Sequence, residues 1–287
     1  MRALLSQGEL EALVRLLGDD DPTIVDVAIG KLSEAGEKSS PLLRSALESS
    51  NILLRSRAGK LLETLRQKNL LNRLGQIASA PGEVDLEEGL LVIAEMEYPG
   101  LHAPACRREL DGYAAELRPR LEGQITAPKI LDVIRRYLYS DLHYAGNFSD
   151  YYNPENSYLN KVIESRRGIP ISLSILYILL GNRLGLPIQG VGLPGHFLCR
   201  YEQQHTVIYI DAFHGGQPVS EDECEEFVED IGFPFDEKYL SVISNREILA
   251  RTVRNLIHIY VRKNDELRVK LHQDMLDVIY GEKPGSL

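Results

Sequence analysis

The sequence predicts an α+β fold, mostly α, in which one buried helix packs against a small antiparallel sheet. Three observations predict it. First, an apolar run opens at Arg166-Arg167-Gly168-Ile169-Pro170 and closes at Gly185-Leu186-Pro187. Proline is preset for a first helical turn and glycine ends helices, so the two bracket one helix with little polar face. Second, three short β-rich runs follow at once, over residues 188–193, 197–201 and 207–210, each bounded by turn residues. Third, most of the chain outside this stretch carries helical spacing.

Residues 1–79 read as a helical region. Within it, Leu13, Leu17, Ala28 and Leu32 map onto Leu43, Leu47, Ala58 and Leu62 with a constant shift of 30. Each unit is a short helix, a polar break and a longer helix. Asp21-Pro22 and Ser40-Pro41 supply an N-cap followed by a first-turn proline. The pattern resembles HEAT-like helical pairs, although its period is shorter and two units are few for a solenoid. An ordinary helical hairpin bundle with chance self-similarity fits the same residues.

Residues 80–245 form the expected core domain, entered through the break Ser79-Ala80-Pro81-Gly82. An acidic first turn at Asp85, Glu87 and Glu88 followed by apolar residues predicts a helix from about residue 85. Two more are expected over residues 105–117 and 128–139, with Pro99, Pro104 and Pro119 as limits. Residues 141–156 have no period and read as a loop. Lying just before the buried helix, this loop can line a cleft with Tyr151, Tyr152, Asn153 and Asn156, or its tyrosines can simply cover the core's edge. After the sheet comes an acidic helix around Cys224, over residues 220–230. Residues 246–287 close the chain as a helical hairpin, from the spacing of Leu249, Val253, Leu256, Ile257 and Tyr260 and then of Leu267, Leu271, Met275 and Ile279. It resembles a single TPR-like (tetratricopeptide) unit, which caps a core more readily than it builds an array.

Composition narrows the function. A net charge of −10 repels phosphate backbones, and Arg107-Arg108 and Arg135-Arg136 are too short to reverse it, so no nucleic-acid partner is expected. Ala3-Leu4-Leu5 is too little for a secretory signal. The longest apolar run falls short of the roughly 20 residues of a bilayer crossing, so no membrane is expected either. Cys106, Cys199 and Cys224 make neither a metal spacing nor an even disulfide set, which agrees with a reducing cytoplasm. No cofactor or metal is expected: His196, Asp211 and His214 offer ligand types without motif spacing, and Gly215-Gly216 reads as a turn.

Three phrases carry a family resemblance: Arg-Arg-Gly-Ile-Pro-Ile-Ser-Leu from Arg166, Leu-Pro-Gly-His-Phe-Leu from Leu193, and Ile-Asp-Ala-Phe-His-Gly-Gly from Ile210. In this order they resemble the transglutaminase-like core, a relative of the papain-like fold, and more narrowly the bacterial SirB-type subfamily. The likeness runs from about Val84 to Tyr260. It implies a thiolate at the N-terminus of the buried helix, where the dipole lowers its pKa, a His that takes the proton, and an Asp or Asn that fixes the His tautomer. His196 then matches the base and Asp211 the orienting carboxylate.

The sulfur is missing, because Gly168-Ile169-Pro170-Ile171-Ser172 stands where it belongs. Cys199, three residues from His196, would face the other side of an extended strand. Cys224 lies among Glu221, Asp222, Glu223, Glu225 and Glu226, whose potential raises a thiol pKa, and Cys106 has nothing to activate it. Ser172, third in the helix, can complete a Ser172-His196-Asp211 triad; with Ser174, it can equally serve the first turn or close packing. Three functions stay open: a pseudoenzyme-like regulatory or protein-interaction role with unknown protein partners, an acyl-transfer hydrolase (amidase or peptidase-like), and a platform for the N-terminal helices. The first is preferred, since the missing residue is the one the mechanism most depends on.

Overall fold

The computed structural model describes residues 5–285, in two compact units, Met1–Asn72 and Arg73–Leu287. The first holds α1 (Gln7–Leu16), α2 (Pro22–Ala35), α3 (Ser40–Ala46) and α4 (Ile52–Ala78) as far as Asn72. Ser6 and Glu9 close a capping box on α1, and Asp21 caps α2 by accepting from Thr23 N at 2.8 Å. The start of α3 differs from expectation. Ser40 is its first residue, and Ser39 at the cap sends its hydroxyl back to the carbonyls of Gly36 and Leu32. Leu13, Leu17, Ala28, Leu32, Leu43 and Ala58 are buried in one core. Of the other repeat positions Leu62 is half-buried and Leu47 is 39% exposed.

The second unit begins its own elements with α5 (Leu86–Glu97), α6 (Ala103–Leu121) and α7 (Ala127–Arg136), the last running on into a wider turn at Tyr137–Asp141. Here α6 passes Pro119 instead of stopping at it. Arg120 holds that last turn, paired with Asp141 and set 4.8 Å from the Tyr137 ring centroid. Residues 141–156, starting at the last residue of the wider turn, form a loop that holds β1 (Ala145–Gly146) and the start of a short turn, Pro154–Ser157. Then come α8 (Leu159–Ser165) and β2 (Arg167–Gly168), neither foreseen, with β1 and β2 paired in parallel.

The central helix α9 (Pro170–Leu184) has the predicted bounds, and its residues from Pro170 to Gly181 are all buried. Gly185 follows in the left-handed conformation, with φ +70°. After it, β3 (Ile188–Val191), β4 (Leu198–Gln203), β5 (Thr206–Asp211), β6 (Gln217–Val219), α10 (Glu221–Asp230) and β7 (Val242–Ile243) complete an antiparallel sheet in the order β6-β5-β4-β3-β7. The two outer strands, three and two residues long, were not foreseen. Strand alternation turns Cys199 toward α9, where its thiol meets the Ser174 carbonyl at 3.3 Å. Val191, Leu198 and Tyr209 point the other way and pack with Cys224 and Val228 of α10. The fold is therefore α+β and mostly helical, with the sheet lying between α9 and α10.

The chain ends in α11 (Asn245–Arg262) and α12 (Glu266–Tyr280), an antiparallel hairpin with α11 also against α5 and α9. Leu249, Val253, Leu256 and Met275 are completely buried, each contributing about 2 kcal/mol by leaving water. Among the described residues no helix is long and apolar enough to cross a membrane.

Candidate functional site

His196 follows the turn Leu193-Pro194-Gly195, just before β4, with its N–H on the Leu193 carbonyl at 3.3 Å. Arg251 of α11 clamps this turn, one guanidinium nitrogen donating to the carbonyls of both Leu193 and His196. Asp211 is the last residue of β5, and the chain turns around it. One carboxylate oxygen accepts the N–H groups of Phe213 and His214 at 3.0 and 3.1 Å. The other accepts His196 Nε2 and His214 Nδ1, each at 2.8 Å. Gly216 completes the turn with φ +69°, and a Cβ there would lie 2.2 Å from the Tyr177 hydroxyl, so only glycine fits.

Burial opposes ionisation of Asp211, but the hydrogen bonds from His196 and His214 outweigh it and bring its pKa down to about 2. An ionised carboxylate only accepts. His196 therefore carries its proton on Nε2, and Nδ1 remains as its basic nitrogen.

The cleft before His196 encloses about 320 Å³, with Tyr151, Pro170, Ile171, Arg251 and Arg254 among its walls. A second cavity of about 310 Å³ is also lined by His196, together with Asp211, His214, Cys224 and Phe227. The structure thus brings His196 and Asp211 together and adds His214, which the sequence had suggested only as a metal ligand. One ligand atom from each of His196, Asp211 and His214 lies within 4.8 Å of the other two, a donor set of a kind that suits zinc, and Asp211 Oδ2 already accepts from both imidazoles.

Ser172 is placed differently from what a triad requires. It is 3% exposed, and its hydroxyl accepts from Ile169 N at 3.0 Å and donates to Ile169 O at 3.1 Å. Ser174 is buried as well, its hydroxyl on the Phe197 carbonyl. No thiol is poised for attack. Burial pushes Cys199 up to about 12, and burial together with Glu223 pushes Cys224 to about 11. The half-buried Cys106 is also raised by burial.

Of the four loop residues expected at a cleft, Tyr151 lines it. Tyr152 is exposed, beneath the Arg262 guanidinium. Asn153 caps the turn at Pro154–Ser157, accepting from Glu155 N and donating to Asp150. Asn156 is buried, donating to the carbonyls of Asp150 and Tyr151 and accepting from Asn147. An aperiodic loop has no ladder to satisfy its backbone, so the amides do that work. The sequence reading missed Arg251 and Arg254. Their signal was the polar stripe of α11 opposite its apolar one.

Residues 104–254 match a family described as the transglutaminase-like superfamily. The chain is 39% identical over 203 residues to the UPF0162 protein of Xylella fastidiosa strain 9a5c, spanning 69% of this chain and 72% of that protein. It is 29% identical over 262 residues to F-box only protein 21 of Mus musculus, spanning 80% of this chain and 41% of that protein. A UPF0162 protein of Pseudomonas aeruginosa is 28% identical over 185 residues, or 63% of this chain and 67% of that protein. No solved structure matches. The superfamily match covers more than half of the 287 residues, and the likeness to the Xylella protein reaches across most of both chains, so this chain belongs to the transglutaminase-like superfamily.

Proposed function

We propose that this protein is a transglutaminase-like chain without the nucleophilic cysteine, working by holding a protein segment in the cleft before His196. The first turn of α9 carries the reading: Pro170 and Ile171 stand beside His196 in the cleft, where the mechanism wants a thiolate. The His196-Asp211 pair, without an attacking atom, still offers an oriented imidazole that can hydrogen-bond a peptide. In this reading the chain is of the SirB type, its α1–α4 region HEAT-like and its α11–α12 hairpin a TPR-like cap. Its place is the cytoplasm, which agrees with the three free cysteines. The mouse relative carries similar sequence over 41% of its length, as suits a module used beside other parts of a protein.

The intact His196-Asp211 pair favours one rival, a hydrolase with Ser172 as nucleophile. Against it stands the hydroxyl of Ser172, occupied on both sides by Ile169. Assaying the protein, His196→Ala and Ser172→Ala on glutamine, peptide and ester substrates separates the two. The binding role predicts the same background rate in all three. Turnover that drops about 10³-fold or more in both variants establishes the triad instead.

A further inference from the structure

The wall of the cleft is basic in a protein of net charge −10. Arg251, Asn255, His258 and Arg262 recur every three or four residues along α11, and so share one side of it. Arg254 beside them is already paired with Glu247 at 2.7 Å. Arg251 is not: among the described residues no carboxylate pairs with it, and its hydrogen bonds, to two carbonyls, use one of its three nitrogens. Burial disfavours its charge. A partly buried guanidinium without a counter-ion is costly until an anion arrives, and its planar fork fits a carboxylate.

Arg262 likewise has no carboxylate partner among the described residues and lies 3.9 Å from the ring centroid of Tyr152. The Tyr152 ring meets that of Tyr151, at the cleft, at 5.2 Å. From Arg251 to Arg262 the helix rises about 16 Å, the span of roughly five extended residues.

Taking the binding role above as given, we infer that the cleft accepts an acidic peptide. One carboxylate sits on Arg251, and the segment runs along α11 over Tyr151 and Tyr152 toward Arg262. The length of the stripe favours a peptide over a small acid, and the protein's net charge disfavours a polyanion.

Fluorescence anisotropy with three labelled hexapeptides tests this: one with two glutamates and an amidated C-terminus, one neutral with a free C-terminus, and one neutral and amidated. The glutamate peptide is expected to bind at least about 10-fold tighter than the neutral amidated one, and more weakly as salt rises. A gain confined to the free C-terminus identifies the terminal carboxylate as the recognised group. Arg251→Gln should weaken binding by about 30-fold or more. Because Arg251 also braces the His196 turn, Arg262→Gln, on the surface, serves as a second variant, with about a threefold loss. Equal affinity for acidic and neutral amidated peptides, both weakened by Tyr151→Ala, overturns the acidic preference and leaves cleft binding standing. Acidic binding that neither arginine variant changes also overturns it. No binding of any of the three overturns both.

Discussion

Two buried histidines in the same compact unit have opposite surroundings. His196, 8% exposed, donates to an ionised carboxylate and borders two cavities. His272, 1% exposed, stands on the buried face of α12 in the C-terminal hairpin, with Nδ1 on the Arg268 carbonyl at 2.7 Å and Nε2 on the Tyr158 hydroxyl at 3.2 Å. Tyr158 also meets the Tyr260 hydroxyl at 3.0 Å, and burial lowers the pKa of His272. Little burial separates the two rings; their partners do. A carboxylate stands ready to compensate an imidazolium, whereas a carbonyl and a phenol fix one neutral tautomer and tie helices together. The first arrangement suits a site, and the second a joint.

Asp211 is where the two histidines should differ most on substitution. Asp211→Ala strips the acceptor from two imidazoles and two backbone N–H groups, several of them buried, and should cost about 3–4 kcal/mol in urea denaturation. Asp211→Asn keeps one acceptor oxygen and should cost about half as much. A loss below about 1 kcal/mol for Asp211→Ala would mean that the cluster does not hold the end of β5 in place. At the other histidine, Tyr158→Phe removes one hydroxyl from between Tyr260 and His272, at an expected cost of about 1–2 kcal/mol. Its mark should be local: faster amide exchange in α11 and α12, with β4 and β5 unchanged. Exchange that rises equally in the sheet would show that the joint and the site are one cooperative network.

How far each histidine could be read from sequence follows from the range of its contacts. The limits of α9 were legible because Pro170 and Gly185 act through their own backbones. His196 and Asp211 were legible as a pair from their order along the chain and a family resemblance, since the strand register that joins them is set by β4 and β5 alone. Arg251 was not, because 55 residues separate it from His196 and only the docking of α11 brings it to the turn. Ser172 could be placed in the first turn but not oriented. Its position leaves both His196 and Ile169 conceivable as partners, and the nearer backbone wins. The strands β6 and β7 are too short for a period, and Gln217-Pro218-Val219 carries little strand propensity. His272 drew no notice because one histidine on an apolar helix face gives no sign of a tyrosine 114 residues earlier.

The finest test separates the two histidine environments by pH. The folded pKa of His272 lies below its ordinary 6.5, so below that pH the unfolded chain binds a proton that the folded one resists. Its contribution is therefore complete above about 6.5 and is lost as the pH falls, with a slope of at most about 1.4 kcal/mol per unit. Asp211 acts lower. With a folded pKa of about 2 against an ordinary 3.8, its stabilisation is present above 3.8 and fades as the pH falls toward 2. Denaturation midpoints measured from pH 8 to 2 should show both windows. His272→Gln should flatten the upper one and Asp211→Asn the lower, each leaving the other intact. If His272→Gln leaves the slope between pH 6.5 and 4 unchanged, its imidazole charges freely in the folded state. The contrast between joint and site would then rest on geometry alone.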